Sequence, residues 1–128
     1  MSGSRVIELD FGTVELNEDG ILRFNIASGS DTITLNQLQP LLEALISMAD
    51  GKPRPFYCDN SDMKSLGYPE RKFIGSNLHL FASASAVKEN SPVIRFIGHT
   101  INHFFLPKVP MQMFDSERKA IAWLKSMG

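Results

Sequence analysis

Residues 82–92 read ASASAVKENSP, and the fold turns on whether they are helix or strand. The alanines would extend a helix begun near Pro69. Small side chains would equally suit a central strand that lets helices approach closely. The end of the stretch decides. Ser91 suits an N-cap and Pro92 the first helical position, where a missing N–H costs nothing. A new helix therefore starts there, and residues 83–88 are the strand that precedes it.

Toward the C-terminus, projection at about 100° per residue puts Val93, Ile94, Ile97, Ile101, Phe104 and Phe105 on one face of that helix. Arg95, His99, Asn102 and His103 share the opposite face. The connector LPKVP and a strand MQMF follow. The closing helix DSERKAIAWLKSM is capped by Asp115 or Ser116, with Ala120, Ile121, Leu124 and Met127 as its buried stripe.

Toward the N-terminus, Pro69 opens a helix whose inner face is Phe73, Ile74, Asn77, Leu78 and Phe81. RPFYC, residues 54–58, is a short strand that runs into the polar loop DNSDMKSLGY. TLNQ, residues 34–37, fits a capping box, and Leu38, Leu41, Leu42, Leu45, Ile46 and Ala49 form the apolar face behind it. Pro40 should kink or delay that helix, and Gly51 ends it. Ile7, Leu9 and Phe11 alternate with polar positions, Val14 and Leu16 continue the pattern, NEDG makes a turn, and Leu22, Phe24 and Ile26 alternate again, as in a β-hairpin. The predicted order is β-β-α-β-α-β-α-β-α. This is an α/β single domain over residues 1–128, with a mixed, mostly parallel sheet and crossover helices.

At 128 residues and 43% hydrophobic, the chain can bury a core without disulfides or metal. Thirteen Lys and Arg against fourteen Asp and Glu leave a net charge of −1. That balance argues against nucleic acid and against anionic membrane surfaces as partners. The longest apolar run, LLEALISMA, falls short of the roughly 20 residues of a membrane span and contains Glu43. The lone Cys58 and an N-terminus with no apolar leader point to a cytoplasmic protein.

The stretches ITLNQLQPLLEAL, ENSPVIRFIGHTINHFF and PKVPMQMFDSERKAIAWLKS, with Arg71, Phe73 and Ala82, resemble the STAS fold of the anti-sigma-factor antagonists, the SpoIIAA-like proteins. The closer similarity is to an uncharacterised bacterial branch labelled STAS/SEC14-like, and it spans about residues 13–128. The resemblance implies the fold. It also implies a phosphorylated Ser or Thr in the loop after the central strand, in a D-S-S/T-G motif. The corresponding region here is DNSDMKSLG, where Ser65 is the nearest match, Ser61 the second, and Lys64 and Leu66 replace motif residues.

Two sets of residues are candidates for function. The loop residues Asp59, Asn60, Ser61, Asp62 and Ser65 follow a parallel strand, where ligands of open α/β sheets bind. They form no calcium loop, because Met63 and Lys64 stand where a ligand and a turn glycine belong. The helix edge of Arg95, His99 and His103 could contact an anion or a partner. HTINH, residues 99–103, is no zinc site: it lacks the Glu of HExxH, a site needs about three or four ligands, and Arg95 repels a dication. Cys58 reads as a small buried hydrophobe. No nucleophile elbow, phosphate loop or spaced carboxylate pair appears. The expectation is a non-enzymatic regulatory or protein-interaction module without metal or cofactor, its protein partner unidentified and a second copy of the chain among the candidates. The alternative is a carrier or sensor of a small apolar ligand, as the SEC14-like label implies, and last an unrecognised hydrolase. A large apolar cavity would favour the carrier.

Overall fold

In the computed structural model, which describes residues 5–101 and 108–127, the elements in chain order are β1 (Arg5–Leu9), β2 (Gly12–Leu16), β3 (Leu22–Ile26), α1 (Leu35–Ala49), β4 (Arg54–Asp59), α2 (Tyr68–Asn77), β5 (Ala82–Lys88), α3 (Pro92–Thr100), β6 (Met111–Phe114) and α4 (Glu117–Met127). A short 3-10 turn, Leu78–Leu80, joins α2 to β5. The ASASAVK stretch is a strand, and Ser91 and Pro92 stand at the N-cap and first position of α3, although the Ser91 side chain makes no capping hydrogen bond.

The six strands lie in sequence order across one sheet. The first three are antiparallel, and β3 to β6 run parallel. The sheet is therefore mixed and mostly parallel, with one strand more than the expected order. Residues 6–16 were expected as one interrupted strand, but the chain folds back at Asp10 and Phe11 into β1 and β2. Gly12 makes this reversal fit, because a Cβ there would overlap the Asn25 carbonyl oxygen of β3.

Alternation along each parallel strand splits the core in two. Phe24, Phe56 and Cys58 face α1, α2 and α3 in the larger core. Tyr57, Ala84 and Ala86 face α4, with Ile21, Ala120 and Leu124. The small side chains of β5 are explained by this second face: with methyl groups at Ala84 and Ala86, α4 can seat Leu124 directly on the sheet. Trp123 packs at its border against Phe114, ring centroids 5.6 Å apart. Outside it, Arg23 donates to both carboxylate oxygens of Asp19, at 3.2 and 2.9 Å, and this pairing holds the Asp19 carboxyl below its ordinary range.

Local signals place the helices. Gln37 accepts the Thr34 N–H at 3.0 Å, one arm of the capping box. Pro40 sits exposed inside α1, where the helix continues past it. Asp50 and Gly51 end α1 in left-handed backbone, with φ of 56° and 81°. The Ser116 hydroxyl accepts the Lys119 N–H and so caps α4. Three residues expected inside face outward: Ile46, Val93 and Met127 are exposed.

Leu124 is fully buried, whereas its neighbour Lys125 is exposed. Leu124→Ala should lower the unfolding free energy by about 2–5 kcal/mol, and Lys125→Ala by less than about 0.5 kcal/mol. Denaturant midpoints at unchanged slope measure both; equal, small effects would mean that α4 is a loosely attached tail.

Candidate functional site

The loop that follows β4 leaves the sheet beside the end of β5. Asp59 pairs with Lys88 in the strand register, and the two side chains meet around Ser61. One Asp59 oxygen accepts the Ser61 N–H at 2.9 Å and the Ser61 hydroxyl at 2.5 Å. Lys88 donates to the Ser61 hydroxyl at 2.8 Å and lies 3.8 Å from the second Asp59 oxygen. The Asn60 N–H binds the Lys88 carbonyl at 2.8 Å. The Asp31 carbonyl, in the loop before α1, accepts the N–H groups of Lys64 and Ser65 at 2.8 and 3.2 Å. The loop is thus tied on two sides.

Its side chains divide sharply. Met63 and Leu66 are buried in the larger core, while Asp62, Lys64 and Ser65 are exposed. Of the five predicted loop residues, Asp59, Asn60 and Ser61 are drawn into a fixed network, and Asp62 and Ser65 face out. Lys88 and Asp31, which complete the network, were missed. Lys88 could have been found from register, since parallel pairing sets it beside Asp59.

The helix edge is organised differently from its prediction. Arg95 and His99 are exposed on α3 and line one groove with Gln112 and Lys119. His103 lies outside the described residues. Arg95 donates through Nε to Glu89 at 3.1 Å, and Glu89 is only 1% exposed. The other Glu89 oxygen accepts the Ser91 N–H at 3.1 Å, so Glu89 closes the first turn of α3. The Arg95 charge is therefore matched from within the chain, which weakens the anion ladder. Val93, expected on the inner face, is 54% exposed, and Phe96 beside it is 66% exposed. The reason is Gly98: a Cβ there would come within 2.6 Å of the Met113 sulfur. The helix is turned so that Gly98 rests on β6, and Val93 and Phe96 rotate outward.

Beneath the loop, between the sheet and α1 to α3, lies an apolar cavity of about 120 Å³. Met63 and Leu66 form its wall on the loop side, Phe56 and Val87 its floor, and Leu41, Ile94 and Ile97 its helical side. Cys58 also lines the cavity, and its thiol donates to Asn60 Oδ1 at 2.8 Å. Burial, and then the charge of Asp59, push the Cys58 thiol up to about 12. Among the described residues, no three His, Cys, Asp or Glu side chains converge as metal ligands. No helix among them is long and apolar enough to cross a membrane.

Residues 15–128 match the family described as "Domain of unknown function (DUF7793)", and the chain belongs to that family. No curated protein matches the sequence. Among solved structures, an uncharacterised protein of the DUF3478 family with a SpoIIAA-like fold, from Shewanella loihica PV-4, is similar over 97% of this chain and 95% of its own, with 17% identity and a TM-score of 0.62. An anti-sigma factor antagonist from Mycobacterium paratuberculosis is similar over 98% of this chain and 95% of its own, with 15% identity and a TM-score of 0.60. The fold is SpoIIAA-like, as the sequence resemblance implied.

Two outcomes test this geometry. The folded protein holds Cys58 as the neutral thiol. The stability this contributes is full below the ordinary value of 9.0 and is lost as pH rises from there through about 12. At pH 8 a thiolate-selective reagent should label native Cys58 at least about a hundredfold more slowly than the unfolded chain; equal rates would place the thiol in solvent. Arg95→Ala should cost about 1–3 kcal/mol by stranding Glu89, whereas Lys119→Ala, which breaks an exposed pair with Asp115, should cost less than about 0.5 kcal/mol. Thermal or denaturant unfolding of the two variants decides between them.

Proposed function

We propose that this protein is a non-enzymatic regulatory binding module whose partner-facing surface is the loop Asp59–Ser65. The observation that carries this reading is the division of the loop. Met63 and Leu66 anchor it from below, and the Asp59–Ser61–Lys88 network and the Asp31 carbonyl pin it at its sides. Asp62, Lys64 and Ser65 are presented outward on a backbone that is already ordered. A preorganised polar loop loses little conformational entropy on binding. The shared fold of an anti-sigma factor antagonist supports a regulatory role of this kind.

Side-chain chemistry supports the non-enzymatic part. The Ser61 hydroxyl is held between a carboxylate and an ammonium. Lys88 donates to the Ser61 hydroxyl and so offers it no acceptor for its proton. Cys58 is buried with its thiol neutral, which removes it as a nucleophile. Ser65 is the exposed hydroxyl of the loop. A phosphate there would meet Lys64 favourably and Asp62 unfavourably, so modification would turn a presented surface of balanced charge negative. The partner is a protein, with a second copy of the chain among the candidates.

A photo-crosslinking residue placed at position 62 or 64 in the native host should give one adduct of defined mass, and one at position 126 on α4 should not. Asp62→Arg combined with Lys64→Glu should weaken the adduct at least about tenfold. Equal labelling from position 126, or an adduct indifferent to the charge reversal, would contradict the reading. An adduct of twice the chain mass would identify the partner as a second copy.

A further inference from the structure

We propose that the apolar cavity under the loop is a binding site for one small, uncharged molecule with an apolar body and a single hydroxyl or carbonyl, of the size of a phenol. Three observations converge on this class. The first is size. The cavity holds about 120 Å³, and an apolar protein cavity of ~150 Å³ accepts benzene and stays free of water. The second is charge. The described lining residues include no Lys, Arg, Asp, Glu or His, so a charged ligand would lose its hydration without a counterion.

The third is one open polar group. Ser85 lies on the floor of the cavity and is 2% exposed. Its N–H is bound to the Pro110 carbonyl at 2.8 Å, but among the described residues its hydroxyl has no hydrogen-bond partner. Of the neighbouring polar side chains, Asn77 donates to the Phe73 carbonyl at 2.8 Å and Asn60 Oδ1 accepts the Cys58 thiol, and both residues are only half-buried, so the other ends of their amides can meet solvent. A water trapped at Ser85 needs two to four partners, and the wall around that hydroxyl is almost wholly apolar. A ligand with one polar end needs only Ser85. The site is independent of the partner-facing role of the loop, although Met63 and Leu66 of that loop close it.

The probes are phenol, benzene and phenyl phosphate, titrated into the full chain labelled at methionine and isoleucine methyl groups for NMR. Phenol should shift the Met63 and Ile94 methyl signals saturably, at one site per chain. Benzene should do so about fivefold more weakly, the factor of one hydrogen bond. Phenyl phosphate should leave the signals unmoved. Ser85→Ala should bring phenol and benzene within twofold of each other without weakening benzene. No saturable shift with phenol or benzene in the wild-type chain would overturn the proposal. A preference for phenol undiminished in Ser85→Ala, or shifts confined to exposed methyls such as Met127, would do the same.

Discussion

The parallel pair β4–β5 is buried on both faces, and its side chains divide between two cores one residue at a time. Phe56 stands beside Ser85 and Cys58 beside Val87 on the face toward α1, α2 and α3. Tyr57 stands beside Ala86 on the face toward α4. A slip of one residue would exchange every one of these positions. The two faces are filled unequally. On the α4 side, methyl groups on β5 admit a helix at close range. On the other side, Ser85 is too small to reach the helices opposite it, and the space above it stays open. The seat of the closing helix and the cavity follow from the same run of small residues.

The loop after β4 inherits its shape from that pair. Parallel register brings Lys88 beside Asp59, and Ser61 is bound between them. The loop then crosses the larger core and covers the cavity with Met63 and Leu66. Its outward residues are therefore ordered by what lies below them, and the proposed binding surface and the cavity share one wall.

Much of this was legible in the residues. Ser91 and Pro92 mark a helix start, so ASASAV had to be a strand; Thr34 with Gln37, and Asp115 or Ser116, mark two more helix starts. What was missed depended on distant contacts. Nothing in residues 6–16 shows that Gly12 is pressed against the Asn25 carbonyl, and so one strand became two. Helical projection placed Val93 inside because it knows nothing of Met113, which fixes the rotation of α3 through Gly98. Arg95 looked free to meet an anion because its partner Glu89 precedes the helix, off the projected face. The loop residues were found from their position after a parallel strand, while Lys88 and Asp31 needed the register and the fold to bring them there. A cavity has no sequence signature, since the residues around it read as an ordinary core.

Xenon tests most directly the claim that small residues on β5 leave one core open beneath an anchored loop. A crystal of the full chain, pressurised with xenon, should show one atom bound above Ser85, between Phe56 and Met63, with Met63 and Leu66 still covering it. A core filled by side chains with no xenon there, or a loop lifted from the sheet with Met63 and Leu66 in solvent, would contradict the account.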